Sequence, residues 1–401
     1  MPNYFWMRNS LTTAPEPLLT PQFVLMLVVT SIIGLSFSTY FLLPKFLAVE
    51  LAADAAAIGG LSGVSLFASV VCMPIAGVQM DRLGRRPFIG FGSLLFAVAS
   101  AGFLLVDEVG PLLWALRLLQ GVAWPLFYLG LSTLATDIAP KPRMGQAIGV
   151  FGAIMISTNA LGPALAEWGA RTFGWPAVFG ATVAAALLAA LLSRFLRERH
   201  HPQVRNKTTT MLALVRRPGL QRVLIVTAMA GWTFGSIFTF YQPWALACGF
   251  EQVSTFLVAF AACAMVVRIG LGGIADRFGR LRVARATLLL YVAAPLSLVW
   301  LPSVGLALSG GLLGLSHGMF FPALNAVAVD FAAAHERGKA MAAYNGAFNV
   351  GFAAGSYLLG YVAIATSFPT IFFCSAAICV VAFVLLVSGQ ANAVVASRAG
   401  T

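Results

Sequence analysis

Two nearly identical charged motifs lie 195 positions apart (276 − 81) in this chain of 401 residues, each between two long apolar stretches. The first spans residues 77–86 with the sequence GVQMDRLGRR, and the second spans residues 272–280 with the sequence GGIADRFGR. A charged, glycine-containing hairpin that recurs at half the chain length indicates an internally duplicated protein. The chain must therefore fold into two halves of the same topology.

The composition places both halves in lipid. The chain is 60% hydrophobic and 9% charged, whereas a soluble domain carries about 25% charged residues. A membrane-spanning helix needs about 20 apolar residues, and the apolar stretches predict twelve of them. The predicted spans are 22–43, 56–77, 86–106, 111–135, 145–166, 174–195, 222–244, 251–273, 284–302, 304–329, 339–360 and 367–389. The predicted fold is an all-α integral membrane protein.

The longest polar stretch between the motifs divides the chain into two six-helix bundles. The predicted organisation is an N-terminal tail (1–21), a first bundle (22–195), a linker (196–221), a second bundle (222–389) and a C-terminal tail (390–401). Residues outside the motifs also align between the halves. These pairs are Gly121 with Gly318, Pro125 with Pro322, Asp137 with Asp330, Gly145 with Gly338, and Gly162 with Gly355.

The net charge of +12 has a topological explanation. With the N-terminus in the cytoplasm, nearly all basic residues fall in tails and loops on that side, and only Lys45 and Arg171 fall in the opposite loops. This is the positive-inside bias of membrane proteins. It predicts two cytoplasmic termini and explains the charge without a nucleic-acid partner. The five cysteines are scattered, so no metal site is predicted.

The pattern G-x-x-x-D-R-x-G-R resembles the signature loop of the major facilitator superfamily of secondary transporters. This resemblance implies twelve helices in two pseudo-symmetric six-helix bundles, related by an axis along the membrane normal. It also implies a small-molecule substrate bound near the midplane between the halves. Rocking of one half against the other would then alternate access. Such a protein is usually a monomer in membrane lipid, driven by a proton gradient without a bound cofactor.

The resemblance assigns conformational roles to the charged motifs. Asp81 is expected to face the N-terminus of a helix in the other half, where the helix dipole favours an anion. Arg85 is expected to pair with Asp137, and Arg280 with Asp330, only while the cytoplasmic side is closed. The alternative is that these are ordinary loop charges. The residues assigned to gating are Gly77, Asp81, Arg82, Gly84, Arg85, Arg86, Asp137, Gly272, Asp276, Arg277, Gly279, Arg280 and Asp330.

Helix 4 carries an arginine inside an apolar span. The sequence from Arg117 to Gly121, R-x-x-Q-G, resembles a motif of the proton-coupled members of the family. An arginine at membrane depth is costly and usually functional. Arg117 is nonetheless only six residues beyond Pro111, about 9 Å along a helix, so its side chain could also reach the membrane surface.

Two matching stripes of side chains are predicted to face each other across the substrate site. Gln120, Trp124 and Tyr128 share one face of helix 4, because they recur at i, i+4 and i+8. The same spacing places His317, Phe321 and Asn325 on one face of helix 10. Packing within the bundles is the alternative. Further cavity candidates in helix 1 are Ser36, Ser38, Thr39 and Tyr40. Those in helix 7 are Trp232, Phe234, Phe238, Tyr241 and Gln242.

Acidic residues are absent from the middle of every predicted span. If transport is proton-coupled, His317 is the expected titrating group, because an unperturbed histidine has a pKa near 6.5. Glu167, Asp137 or the network around Asp81 are alternatives. Gly162 and Pro163 in helix 5 partly resemble the glycine–proline motif of the antiporters.

The sequence therefore predicts a secondary transporter of the bacterial inner membrane. The leading hypothesis is proton-coupled export of a drug, a metabolite or a siderophore-like compound. The alternatives are an importer of a nutrient such as an organic acid, with Arg117 and Arg268 as anion contacts, and a membrane sensor without transport. The sequence has no phosphate-binding loop, metal-ligand cluster or nucleophile triad, so an enzyme is not expected.

Overall fold

The computed structural model describes residues 17–198, 210–270, 274–333 and 336–399, and within these ranges every regular element is a helix. Eleven helices are long and apolar enough to span a membrane, and a twelfth apolar helix, Ser254–Gly270, is shorter. They are α1 Pro21–Val49, α2 Ala55–Leu83, α3 Arg86–Leu105, α4 Pro111–Ile138, α5 Met144–Phe173, α6 Trp175–Ser193, α7 Pro218–Ala247, α8 Ser254–Gly270, α9 Arg280–Val299, α10 Leu306–Asp330, α11 Arg337–Ala365 and α12 Phe368–Ala399. The predicted all-α membrane fold is confirmed.

Several helices extend beyond their predicted bounds. Most of the first charged motif is helical, since α2 continues to Leu83 and only Gly84 and Arg85 form the turn into α3. Gly84 has φ +89°, a backbone conformation that glycine adopts at no steric cost. The backbone of α12 runs to Ala399, so the predicted C-terminal tail is largely helical.

The predicted linker and N-terminal tail are only partly described. A short helix, Met211–Val215, precedes α7, and α7 begins at Pro218 rather than at 222. Residues 1–16 and 199–209, which include most of the predicted tail and much of the linker, lie outside the described residues.

The two halves meet mainly through two pairs of helices. Within the halves, α1 packs against α5 and α6, and α7 packs against α11 and α12. Between the halves, α2 packs against α11, and α5 packs against α8. The apolar segment of α7 is 72% buried, whereas that of α5 is 22% buried. The helices at the centre therefore form the core, and apolar outer faces remain for lipid.

The halves approach each other closely at one end of the molecule and separate at the other. We call the end that carries the turns after Leu83 and Phe278 the basic end, and the other the opposite end. Towards the opposite end, α2 comes so close to α11 that a Cβ atom at Gly59 would collide with the carbonyl oxygen of Ser356. Towards the basic end, a Cβ atom at Gly77 would meet no atom within 4 Å.

Candidate substrate cavity and charged ends

A cavity of about 350 Å³ lies between the two halves and is lined by both of them. Seven predicted residues line it, namely Tyr40, Arg117, Trp124, Phe234, Phe238, Arg268 and His317. One member of each predicted stripe, Trp124 of α4 and His317 of α10, therefore lines the same cavity. We call this space the central cavity.

The remaining members of the two stripes lie outside the set of side chains that line the central cavity. Tyr128 stacks on Trp124 with ring centroids 4.7 Å apart, and the ring of Phe321 lies 5.2 Å from that of His317. Gln120 is buried and accepts a hydrogen bond from Arg117. One residue of each stripe, Trp124 and His317, therefore lines the central cavity, and that the stripes face each other along their whole length stays a prediction.

Three further candidate residues, Trp232, Tyr241 and Asn325, do not line the central cavity. The Asn325 Oδ1 and Trp232 Nε1 atoms are buried without a hydrogen-bond partner among the described residues. Tyr241 is fully buried and stacks on Phe256 at 4.2 Å. Packing within the second bundle therefore explains Tyr241 and Trp232 better than contact with a ligand in the central cavity.

Arg117 is held from two sides by neutral acceptors. Its Nε atom donates a hydrogen bond to the Leu61 carbonyl oxygen at 3.1 Å, and its Nη1 atom donates one to Gln120 Oε1 at 2.7 Å. The first bond crosses to α2, so the side chain bends into the bundle. The alternative that Arg117 extends to the membrane surface is wrong.

His317 lies in a box of aromatic rings. The ring centroids of Phe234 and Phe348 lie 4.5 Å and 5.5 Å from that of the imidazole. The Nδ1 atom lies 3.3 Å from Tyr291 Oη, within hydrogen-bond distance. His317 is 9% exposed, and this small accessible area opens into the central cavity.

Several side chains that line the central cavity were not predicted from the sequence. Asn159 in α5 and Asn349 in α11 line the central cavity, as does Phe260 in α8. Each is an isolated residue in an apolar helix, and no spacing pattern distinguishes it from packing. Arg268, which the sequence suggested as an anion contact, lies among the lining residues.

At the basic end, the first charged motif is organised around the buried Arg85. Its side chain lies 3.1 Å from Asp137, 3.4 Å from Glu198 and 4.0 Å from Asp81. Glu198 also accepts hydrogen bonds from the backbone N–H groups of Arg85 and Arg86. The turn after α2 is thus joined to the ends of α4 and α6 within the first half.

The second motif repeats part of this arrangement on the surface. Arg280 Nη1 lies 2.9 Å from Asp330 Oδ1, with both side chains exposed. Gly279 has φ +91°, matching Gly84. Arg82 and Arg277 are exposed. Gly272 and the side chain of Asp276 lie outside the described residues.

Both predicted Arg–Asp pairs are present while the basic ends of the halves are apart. The expectation that these pairs form only when this side is closed is therefore wrong, because each pair lies within one half. Asp81 is 60% exposed on its side chain, and the contact that the described residues give it is with Arg85 of the same half, at 4.0 Å. Its predicted contact with a helix N-terminus requires a different arrangement of the halves.

At the opposite end, an ion pair and a capped helix connect the halves. Lys45 Nζ lies 2.6 Å from Glu167 Oε1 and also donates to the Glu251 carbonyl oxygen. Glu167 accepts hydrogen bonds from the backbone N–H groups of Val253 and Ser254, at 3.0 Å and 2.8 Å. We call these five residues the latch. A carboxylate at the start of α8 complements both the free N–H groups and the helix dipole.

A second contact reinforces the latch. Gln242 in α7 donates to the Phe41 carbonyl oxygen and accepts from the backbone N–H of Lys45. The buried Gly162 and Pro163 lie one turn before Glu167, and Gly162 packs directly against Ser38 of α1. This part of α5 is therefore fixed against α1 while its end reaches across to α8.

Two bundles of helices around a shared cavity, connected at one end, define a transporter fold with alternating access. The sequence model of the Major Facilitator Superfamily matches residues 24–310 and 271–395. The chain belongs to this family of secondary transporters, and it is a multi-pass membrane protein.

Relatives and solved structures agree with this assignment. An uncharacterized MFS-type transporter of Burkholderia mallei (strain SAVP1) is 27% identical over 398 residues, covering 92% of this chain and 93% of that protein. The MFS-type transporter YhhS of Salmonella enteritidis is 24% identical, with 92% and 95% covered. The crystal structure of the nucleoside transporter NupG matches with a TM-score of 0.76 at 15% identity, covering 92% and 99%. The human organic anion transporter MFSD10 matches with a TM-score of 0.66 at 17% identity, covering 92% and 100%.

Proposed function

We propose that this chain exports a small organic molecule across the bacterial inner membrane by proton-coupled alternating access. The observation that carries the proposal is a cavity between two halves that are sealed at one end and separated at the other. The positive-inside bias orients the basic end towards the cytoplasm. The conformation is then the inward-facing one, in which the latch closes the periplasmic side.

The proposed proton site is His317. It is the one histidine among the described residues that line the central cavity, and those residues include no carboxylate. An imidazole can gain and lose a proton within the physiological pH range. Its contact with Tyr291 fixes the ring so that protonation and ligand binding occur in the same small space.

Everted membrane vesicles that hold a proton gradient test this function. A pH-sensitive dye would report proton release when drugs, organic acids or metal chelators are added one at a time. We expect one class of compound to cause dye recovery with the native protein and not with His317→Asn. Tyr361→Phe, which changes an exposed tyrosine on α11, is the matched control. Dye recovery that persists in His317→Asn would show that His317 does not carry the coupled proton.

Import of an organic acid is the second candidate. It is favoured by Arg117 and Arg268, which both line the central cavity and could bind a carboxylate. Uptake of radiolabelled organic acids by intact cells separates the candidates. Accumulation that depends on this protein indicates import, and reduced retention of a preloaded compound indicates export.

A further inference from the structure

The central cavity contains positive charge without matching negative charge. Two guanidinium groups, those of Arg117 and Arg268, are among its lining side chains. No Asp or Glu occurs among the described residues that line it. Apart from these two, its described polar lining consists of hydroxyl and amide groups and His317.

Neither arginine is neutralised by a carboxylate in the described structure. Both acceptors of Arg117, a backbone carbonyl and the Gln120 amide, are uncharged. Arg268 makes no hydrogen bond or ion pair with any residue in the described ranges. A cation at the end of a helix is favoured by the helix dipole, which accounts for a basic residue near the end of α8. It does not account for a second arginine on the same cavity.

The two arginines lie at different depths. Arg268 is 14 residues beyond Ser254, about 21 Å along α8 from the latch, and its side chain is exposed towards the basic end. Arg117 is half-buried and contacts α2 at Leu61. A charged group inside a membrane protein is costly unless it is paired, so a ligand with negative charge would lower that cost for the half-buried Arg117. The exposed guanidinium of Arg268 is accessible to the same ligand.

Aromatic rings form much of the apolar surface of the central cavity. Phe37, Trp124, Phe234, Phe238 and Phe260 line the cavity. Phe37 packs on Trp124, and the other three pack on one another, with ring centroids between 4.2 and 5.8 Å apart. Such surfaces bind flat apolar groups. The same cavity therefore presents guanidinium groups to an acid and rings to an apolar body.

We infer that the transported substrate is an amphipathic organic anion, with its acidic group held by Arg268 and Arg117 and its apolar part against the aromatic side chains. This inference rests on the proposed transport function and applies to either direction. Guanidinium binds carboxylate or phosphate through paired hydrogen bonds, so a neutral analogue of the same shape would lose this contact.

Calorimetric titration of the purified full-length protein in detergent tests the inference without requiring transport. The probes are matched carboxylates and carboxamides, namely benzoate with benzamide, 2-naphthoate with 2-naphthamide, and 4-biphenylcarboxylate with its amide. We expect at least one carboxylate to bind about tenfold more tightly than its amide, a difference of about 1.4 kcal/mol. Arg268→Gln should remove that preference, and Arg268→Lys should retain part of it. Arg282→Gln, an exposed arginine of α9 outside the cavity lining, is the control.

Each result has one meaning. Equal affinity within every pair, no binding by any carboxylate, or an unchanged preference in Arg268→Gln overturns the inference. Carboxylate selectivity without proton release in vesicles supports the inference and contradicts proton-coupled transport. Proton-coupled movement of a neutral or cationic compound, unaffected by Arg268→Gln, supports transport and overturns the anion assignment.

Discussion

Lys45 Nζ and Glu167 Oε1 lie 2.6 Å apart and join α1 to the end of α5, where the Glu167 carboxylate also caps α8 of the other half. Asp81 is expected to cap a helix of the other half in the same way at the basic end. The two carboxylates would then act in opposite conformations, each stabilising closure of its own end. This relationship gives the alternating-access cycle a pair of competing electrostatic contacts.

Glu167→Gln should destabilise the conformation that is closed at the opposite end. The substitution leaves Lys45, which is 13% exposed on its side chain, without an anionic partner, and such losses cost about 2–4 kcal/mol. Spin labels on cysteines at Phe173 and Trp300, in a background without the native cysteines, would measure the separation of the halves. We expect a longer mean distance in Glu167→Gln. Glu108→Gln is the control because Glu108 is an exposed acid in the turn before α4, at the same end but outside the latch. Identical distance distributions in all three proteins would show that the latch does not hold this end closed.

Asp81→Asn should slow transport and leave the protein equally stable. Its carboxylate is largely exposed here and has one contact, at 4.0 Å to Arg85, so folding should change by less than about 0.5 kcal/mol. The substitution is expected to destabilise the conformation in which the basic end is closed, which transport requires. Flux in proteoliposomes and thermal unfolding in detergent would measure the two effects. Asp107→Asn, an exposed acid at the other end, should alter neither, and an unchanged flux in Asp81→Asn would exclude the gating role.

The two halves should respond unequally to loss of the matching arginines. Arg85 is buried among three carboxylates, and removing one partner of a buried charge network costs about 3 kcal/mol. Arg280 forms an exposed pair with Asp330, a type that contributes below about 1 kcal/mol. We expect Arg85→Gln to lower the melting temperature clearly and Arg280→Gln to leave it nearly unchanged. Equal shifts would contradict the difference in burial.

Alanine at Gly59 should destabilise the protein, whereas alanine at Gly77 should leave its stability unchanged. The added Cβ atom at Gly59 collides with the Ser356 carbonyl oxygen, whereas the one at Gly77 meets open space. Gly59→Ala should therefore lower the melting temperature and weaken closure of the opposite end. Gly77→Ala should keep the melting temperature and slow transport, because this surface is expected to be buried when the basic end closes. A stable, fully active Gly59→Ala protein would show that α2 and α11 do not need this close approach.

The charged motifs and the aromatic stripes show how much of the site a local sequence pattern can predict. Helical spacing correctly placed Trp124 and His317 on the faces that line the cavity, since residues four apart share a face. It could not establish how far each helix is rotated. Tyr128 and Phe321 therefore contact the lining residues instead of joining them.

The latch shows more clearly what a local sequence pattern cannot predict. Lys45 and Glu167 are 122 residues apart, and Lys45 and the Glu251 carbonyl are 206 apart. Each of these residues taken alone was an ordinary charge near a helix end. The sequence did identify Lys45 as one of two basic residues in the opposite loops, but nothing local named its partner.

The sequence by itself determined a duplicated, all-helical membrane protein and its family, because length, apolar content and repeated motifs are properties of the chain. Only the tertiary structure decided which polar side chains share the central cavity, and that Glu167 rather than Asp81 caps a helix of the other half in this conformation. The physical reason is that these contacts depend on helix rotation and on the relative position of two bundles. Both are set by packing between residues far apart in the chain.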